Sequence, residues 1–395
     1  MPVWHDVTAE LRREQAITVI GITQEQHPER CLLFAQWQAF DWPILWDPFN
    51  LTGATAVPGV YAVDEYGIIR HSRLDPRRVD EQLIGEFIVG EFDPPTTERP
   101  VVFARSGDSD ARDRRSRAYS AFLWNAAGTM QAPLEGLEKL GLDPETSDPA
   151  DLFRGGVAYR MRYDSPFAEP SDFQRALDLW GAALARDPNQ YIWRRRIQQY
   201  GPRLDKPYPF YDWIERAQVD VEKRGEEPVA LAVPLSGAEL ARPSNQLPSP
   251  EEGEVAPDPK GTIALDEEHF IRVEGAAAVH TAAYGARVRQ RSSARVHVAL
   301  KPDAERDVHW TNDAGETVVW IDVPAGWRIE RQLYTLEAPP KASSSETRRL
   351  DFELSPPEEW SGPAKVHGYA LYYICEGESG ACLYRRQNFV IPVGG

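Results

Sequence analysis

The sequence is poor in cysteine. Cys31, Cys375 and Cys382 are the only three in 395 residues, too few for a disulfide-built scaffold, and no Cys-x-x-Cys occurs. A zinc site is not expected on the same ground, because beside Cys375, Cys382 and the nearby His367 no fourth ligand is obvious. No metal or other cofactor is expected. Long apolar runs are missing too. None approaches the ~20 residues that a bilayer span requires, so no membrane-spanning segment is expected. The first residues mix charged and apolar types and show no signal-peptide core. Positive charge is in deficit: 44 Lys and Arg against 61 Asp and Glu give a formal net charge of −17. Phosphate binding requires a basic field, so nucleic acid is not expected as a partner. The basic runs Arg194-Arg195-Arg196 and Arg112 to Arg117 read as solvated or salt-bridged faces. Neither Gly-x-Ser-x-Gly nor a Gly-x-x-x-x-Gly-Lys-Ser/Thr loop is present, which removes the ordinary hydrolase and phosphate-loop classes.

What remains is a chain long enough for two or three cores, with an ordinary 42% of apolar residues. Residues 1–92 alternate helical and strand patterns. Val3, Val7 and Leu11 form one stripe of a helix over Val3 to Glu14. Ile17 to Ile22 reads as a buried parallel strand. A helix from about His27 to Phe40 presents Leu33, Trp37 and Phe40, with Cys31 near its start as a structural thiol. Val57-Pro58-Gly59-Val60-Tyr61-Ala62-Val63-Asp64, a Glu65-Tyr66-Gly67 turn and Ile68-Ile69-Arg70 read as strand, turn, strand. Val79 to Val89 reads as a closing helix, with Leu83, Phe87 and Ile84 toward the sheet. Residues 117–225 are helical. Phe153, Gly156 and Tyr159, then Ala176, Trp180, Ala183 and Leu184 before Asp187-Pro188, resemble one tetratricopeptide helix pair. A single unit implies a local hairpin, not an array. The aromatic cluster Tyr208, Phe210, Tyr211 and Trp213 reads as a packing plug. The alternative is a peptide-binding surface, which leaves a protein partner at the helical domain open. Residues 226–262 are Pro-, Glu-, Gly- and Ser-rich and read as an extended, mobile linker. Over 263–395 the pattern has period two, with strands at Arg295–Leu300, Thr317–Val323, Arg328–Leu336, Arg348–Leu354, Lys365–Cys375 and Cys382–Val393. Such strands separated by turn residues predict an antiparallel sandwich.

The last two strands flank a Gly-rich turn, with Cys375 and Cys382 at its ends. If the two face each other across the hairpin, a non-hydrogen-bonded pair brings their Cα atoms to about 4.5 Å, within disulfide range. Closing so short a loop stabilises by only about 2.5 kcal/mol, which favours an exchangeable bond. An inert hairpin staple and two reduced thiols are the other readings of the same pair.

Two family resemblances rest on these residues. Residues 17 to 70, with "VP" before an apolar strand ending in Asp and a Gly turn, resemble the thioredoxin-like redoxins of the AhpC/TSA type. The resemblance implies an incomplete α/β thioredoxin-like segment with Pro58 in a cis-proline loop. No cysteine precedes Cys31, so the family's Cys-x-x-Cys has no counterpart. Residues 1–92 alone are therefore expected to be inactive on disulfides and peroxide. "VVWIDVPAGWRIERQL" and "YALYYICEGESGACLYRRQNFVIPV" resemble the N-terminal domain of the thiol-disulfide interchange reductase DsbD. Six residues separate the cysteines here, one more than in that family, and Leu383 precedes the tyrosine. This second resemblance implies an all-β immunoglobulin-like sandwich and makes Cys375 and Cys382 the catalytic pair, exchanging with a protein thiol or disulfide partner. Together the readings give a thioredoxin-like segment, an α-helical middle and a β-sandwich in a thiol-disulfide redox or electron-relay protein. A non-catalytic binding or scaffold protein is the alternative. The location is periplasmic or extracytoplasmic if a segment precedes Met1, and cytoplasmic otherwise.

Overall fold

Short β-branched and aromatic runs, cut by Pro and Gly, keep the N-terminal strands to three or four residues. The structure, a computed structural model, describes residues 2–94, 142–165, 168–200, 208–233, 235, 239, 254–282, 291–377 and 382–394. The run Arg112 to Arg117 lies outside these. The chain divides into two compact units. The first comprises Met1–Phe167, Asp178–Arg195 and Asp212–Pro234; the second comprises Ala168–Leu177, Arg196–Tyr211 and Leu235–Gly395.

In the first unit the N-terminal helix is broken into α1 (Pro2–Val7) and α2 (Ala9–Arg13). The Thr8 hydroxyl donates to the Trp4 carbonyl at 2.6 Å, the kind of local bond that competes with helix continuation. The stripe facing the core is consequently Trp4, Val7 and Leu11, and Val3 is exposed, contrary to the sequence expectation. β1 (Gly21–Thr23) is shorter than the strand expected there. After α3 (Pro28–Trp37) the chain returns as β2 (Ile44–Trp46), which pairs with β1 in parallel. Ile20 and Ile22 are about half exposed, not buried as expected of this strand.

β3 (Tyr61–Val63) and β4 (Ile69–Ser72) form an antiparallel hairpin. Asp64 fixes its turn by accepting the Tyr66 and Ile68 amides at 3.0 and 2.8 Å and Arg70 Nε at 2.6 Å. The Val57–Pro58 peptide is cis. The two strand pairs remain separate two-stranded sheets. Val79–Ile88 is a π-type helix. Its wider turn places Val79, Leu83, Phe87 and Ile88 on the core and leaves Ile84 facing out, not toward the sheet as a 3.6-residue period predicts.

α4 (Pro149–Tyr163) starts with Asp148 accepting the Ala150 amide at 2.9 Å and Pro149 in the first turn. α5 (Asp172–Arg186) stops before Pro188, as expected, and α6 (Tyr191–Tyr200) follows. Trp180 donates to the Phe153 carbonyl at 3.1 Å, and Phe153 stacks on Trp193 at 5.3 Å. α7 (Ile214–Lys223) packs against α3. There Trp37 stacks on Trp213 at 6.0 Å and donates to Asp220 at 3.1 Å. Tyr211 is buried and donates to the Tyr200 hydroxyl at 2.7 Å. Tyr211 and Trp213 thus have the packing role expected of the aromatic cluster. Of the solvated or salt-bridged face expected over Arg194-Arg195-Arg196, Arg196 is not solvated: it is buried, with its guanidinium over the Tyr200 ring at 5.5 Å.

Asp164, at the end of α4, pairs with Arg160 one turn back and with His27 at 3.2 Å. Burial pushes its carboxyl up, but the Arg160 and His27 charges outweigh that and hold it at about 2, against 3.8 for an ordinary aspartate. A depressed folded pKa contributes stability that is complete above the unfolded value and is lost on acidification through the folded one. We therefore expect about 2 kcal/mol to disappear between about pH 4 and pH 2, with Asp164→Asn flattening this part of the urea-stability profile. An unchanged acid limb in that variant contradicts the assignment.

The second unit carries two antiparallel sheets on one core. One has the order β5 (Ile271–Ala282), β6 (Arg291–Pro302), β12 (Arg348–Ser355), β9 (Arg328–Ile329). The other runs β10 (Leu333–Leu336), β8 (Thr317–Asp322), β13 (Ala364–Glu376), β7 (Val308–Thr311), β11 (Ser343–Ser344), with β14 (Cys382–Val393) paired to β13. The stretch expected as one strand, Arg328–Leu336, divides into β9 and β10 in different sheets. Period-two alternation fills the core from both sides: Val296, Val298 and Leu300; Leu350, Phe352 and Leu354; Val366, Ala370, Tyr372 and Ile374. On the far face of β6 and β12, Arg295 meets Glu353 at 3.0 Å and His297 meets Asp351 at 2.9 Å. The last part of the expected linker is docked, not mobile. Ala256 and Ile263 pack on Trp320, Tyr369 and Leu371. Asp258 pins that segment by accepting the Thr262 amide and Arg386 Nη1, both at 2.8 Å.

Candidate functional site

β13 and β14 are joined along their length in one antiparallel register that runs from Ala364↔Val393 to Cys375↔Cys382. Alternation then decides where the cysteines go. Tyr372 and Ile374 point into the core, so Tyr373 and Cys375 belong to the opposite, outer face of the sheet. Cys375 and Cys382 are bonded, with S–S 2.03 Å and Cα atoms 4.2 Å apart, the close approach of a non-hydrogen-bonded cross-strand pair. The disulfide is therefore a feature of the outer face and not a bolt through the core.

The two sulfurs have different surroundings. Cys375 is buried, and Thr311 Oγ1 lies 2.9 Å from its Sγ. Cys382 is exposed. β7 brings Thr311 there because it pairs with β13, placing His309 directly opposite Cys375. Behind the sulfurs the Tyr373 and Tyr384 rings stack at 4.3 Å. Gly315 makes room for Tyr373: a Cβ there would lie 2.7 Å from the ring. Beneath, Tyr372 donates to buried Asp266 at 2.8 Å, and burial together with that carboxylate raises its phenol far above the usual range. At the turn, Gly377 has φ +66° and its amide donates to the Asp307 carbonyl at 3.1 Å, while Arg306 bridges Glu376 and Glu268 at 2.8 Å each.

The sequence-predicted residues separate clearly. Cys375 and Cys382 are brought together. His367 is far along β13, opposite Asp322. Pro58 belongs to the first unit. Cys31 is held by burial and by the Glu25 carboxylate at about 12, so at neutral pH it is a protonated thiol touching Thr23 Oγ1 at 2.8 Å and not a nucleophile. Thr311, His309 and the Tyr373–Tyr384 pair were not identified from sequence. Only the tyrosines, flanking the cysteines symmetrically, carried a local signal. In the first unit a cleft of about 270 Å3 is walled by Phe49, Phe153 and Trp193, and none of the sequence-predicted site residues lines it.

No protein-family model matches the chain, and no curated protein matches it. Among solved structures it is similar to the X-ray structure of Northeast Structural Genomics Consortium target SoR45, at 11% identity and a TM-score of 0.19, over 32% of this chain and 89% of that one. Among the described residues no helix is long and apolar enough to cross a membrane.

Proposed function

We propose that this chain is a thiol-disulfide redox or electron-relay protein in which Cys375 and Cys382 are the exchanging pair, with a protein thiol or disulfide as partner. The proposal takes residues 1–92 as a thioredoxin-like segment without its own cysteine pair, and the β region as an immunoglobulin-like sandwich resembling the DsbD N-terminal domain. The observation that carries it is the asymmetry of the disulfide: an exposed Cys382 bonded to a buried Cys375 whose sulfur contacts the Thr311 hydroxyl.

That asymmetry assigns the roles. A partner thiolate reaches Cys382 Sγ and forms a mixed disulfide as the Cys375–Cys382 bond breaks. The electron pair leaves on Cys375, whose thiolate accepts a hydrogen bond from the Thr311 hydroxyl. A second partner thiol then displaces Cys382 from the mixed disulfide. The partner dithiol ends as a disulfide, and two electrons and two protons reside on Cys375 and Cys382. The reverse sequence oxidises the pair.

The test is titration of the full chain in glutathione buffers, with mass spectrometry of the linked peptide. A reversible transition at a poise that small thiols can set is expected. A bond that survives every glutathione ratio identifies an inert staple and leaves the scaffold reading as the better account.

A further inference from the structure

We propose that the outer edge of β14 beside Cys382 is a docking ledge on which an extended, cysteine-bearing segment of the redox partner adds as one more strand. The inference rests on the exchange function proposed above and specifies how that site receives its substrate.

Among the described strands β14 pairs with β13 alone, on one side. The backbone groups of consecutive strand residues point alternately to the two sides. At Arg386 they point away from β13, since its amide donates to the Ala264 carbonyl and its carbonyl accepts the Asp266 amide, both at 2.9 Å. The same alternation turns the backbone of Tyr384 and Cys382 outward. The 4.2 Å Cα separation of Cys375 and Cys382 says this independently, because it marks a pair that exchanges no backbone hydrogen bonds. The edge is thus occupied at Arg386 by the 264–266 segment, and farther along β14 packs against β5. Next to the disulfide it is open among the described residues. The Tyr384 carbonyl is taken by Arg385 Nη1 at 3.2 Å. The Cys382 amide, the Cys382 carbonyl and the Tyr384 amide have no backbone partner among the described residues.

Donor, acceptor and donor in that order are what an added strand requires. The geometry also delivers the sulfur. A residue placed directly opposite Cys382 on an added antiparallel strand would exchange both backbone hydrogen bonds with it. Such a pair has its Cα atoms about 5.5 Å apart and its side chains on one face, inside the roughly 4.4–6.8 Å range of a disulfide. A partner cysteine in that register meets Cys382 Sγ on the outer face, next to the stacked Tyr373 and Tyr384 rings. Unstructured small thiols lack this alignment and react at Cys382 without it.

The probe is an acetylated, amidated hexapeptide of β-forming residues with one central cysteine, activated as its mixed disulfide with thionitrobenzoate. Its twin is N-methylated at the cysteine amide, which removes the donor to the Cys382 carbonyl and leaves the sulfur in place. Each reacts with the full chain carrying Cys375→Ser. Cys382 then forms the new S–S bond, the peptide–thionitrobenzoate bond breaks, and the coloured thiolate leaves. Rates are normalised to each peptide's reaction with free glutathione, and the reduced wild-type chain is run alongside. We expect the N-methylated twin to react about tenfold more slowly, and dithiobis(nitrobenzoate), which has no backbone to align, to react with Cys382 as well. Equal normalised rates for the twins, with brisk reaction of both, overturn the ledge and leave exchange at Cys382 standing. No reaction of Cys382 with any of the three disulfides overturns the exchange function and the ledge with it.

Discussion

Cys382→Ser should abolish exchange with a peptide disulfide, whereas Cys375→Ser should leave a chain that captures its partner and fails to release it. Both variants lose the same short-loop bond, a stability change of about 2.5 kcal/mol, so the difference between them isolates the chemistry from folding. With Cys382 gone, the remaining sulfur belongs to buried Cys375, in contact with the Thr311 hydroxyl, and an incoming disulfide should reach it poorly. With Cys375 gone, Cys382 still attacks, but no neighbouring thiol resolves the product. In the wild type that thiol stands across the hairpin with its Cα 4.2 Å away. Held at that distance, it has a large effective molarity, so its loss slows release by about a hundredfold or more. Non-reducing electrophoresis and intact mass should show the mixed disulfide accumulating in Cys375→Ser and absent from Cys382→Ser. The opposite pattern would exchange the two roles, and equal behaviour would remove the asymmetry on which they rest. Cys31 does not interfere, since a thiol pushed up to about 12 is protonated throughout the assay.

Much of the second unit was legible because its strands obey one rule. β6, β8, β12, β13 and β14 alternate over six or more residues, and each has its apolar set in the core. That the cysteines end two strands at one Gly-containing turn was legible for the same reason; that they face each other is given by the register, which brings Tyr373 opposite Tyr384 and Cys375 opposite Cys382. β5 was missed, since Gly275 and its following alanines give almost no hydropathy contrast, and β7 was missed because four residues are too few to establish a period. With β7 went Thr311 and His309, whose relation to Cys375 is a cross-strand register between segments more than sixty residues apart. The docking of residues 254–265 was hidden by composition: Asp258 acts through backbone amides and Arg386, a role that a Pro- and Glu-rich stretch does not advertise. In the first unit the helix errors have one cause, an assumed 3.6-residue period where Thr8 breaks the helix and where Val79–Ile88 winds wider.

Trp310→Ala should be the most damaging substitution in the β region, lowering its stability by about 4 kcal/mol through lost burial and the cavity left behind. Trp310 is fully buried and is the main anchor of the short strand β7. Its ring meets Tyr372 edge-on at 5.7 Å, its Nε1 donates to the Glu346 carbonyl at 2.8 Å, and the Arg348 guanidinium covers it at 4.4 Å. Arg348 is itself buried and retains Glu346, Thr317 and Asn312, so removing the indole opens a void without stranding that charge. Trp310→Phe keeps most of the ring contact and loses the indole donor, and should cost only about 1–2 kcal/mol. Urea unfolding of the two variants gives the comparison. The larger consequence is local. His309 and Thr311 flank Trp310 on the opposite face of β7 and reach Cys375 only while that strand stays in register. Amide hydrogen exchange in β7 should therefore accelerate in Trp310→Ala well below the unfolding midpoint, and the Cys375–Cys382 bond should become more accessible to small thiols in step with it. Fast exchange in β7 with an unchanged rate of reduction would show that Thr311 and its strand do not shield the buried sulfur.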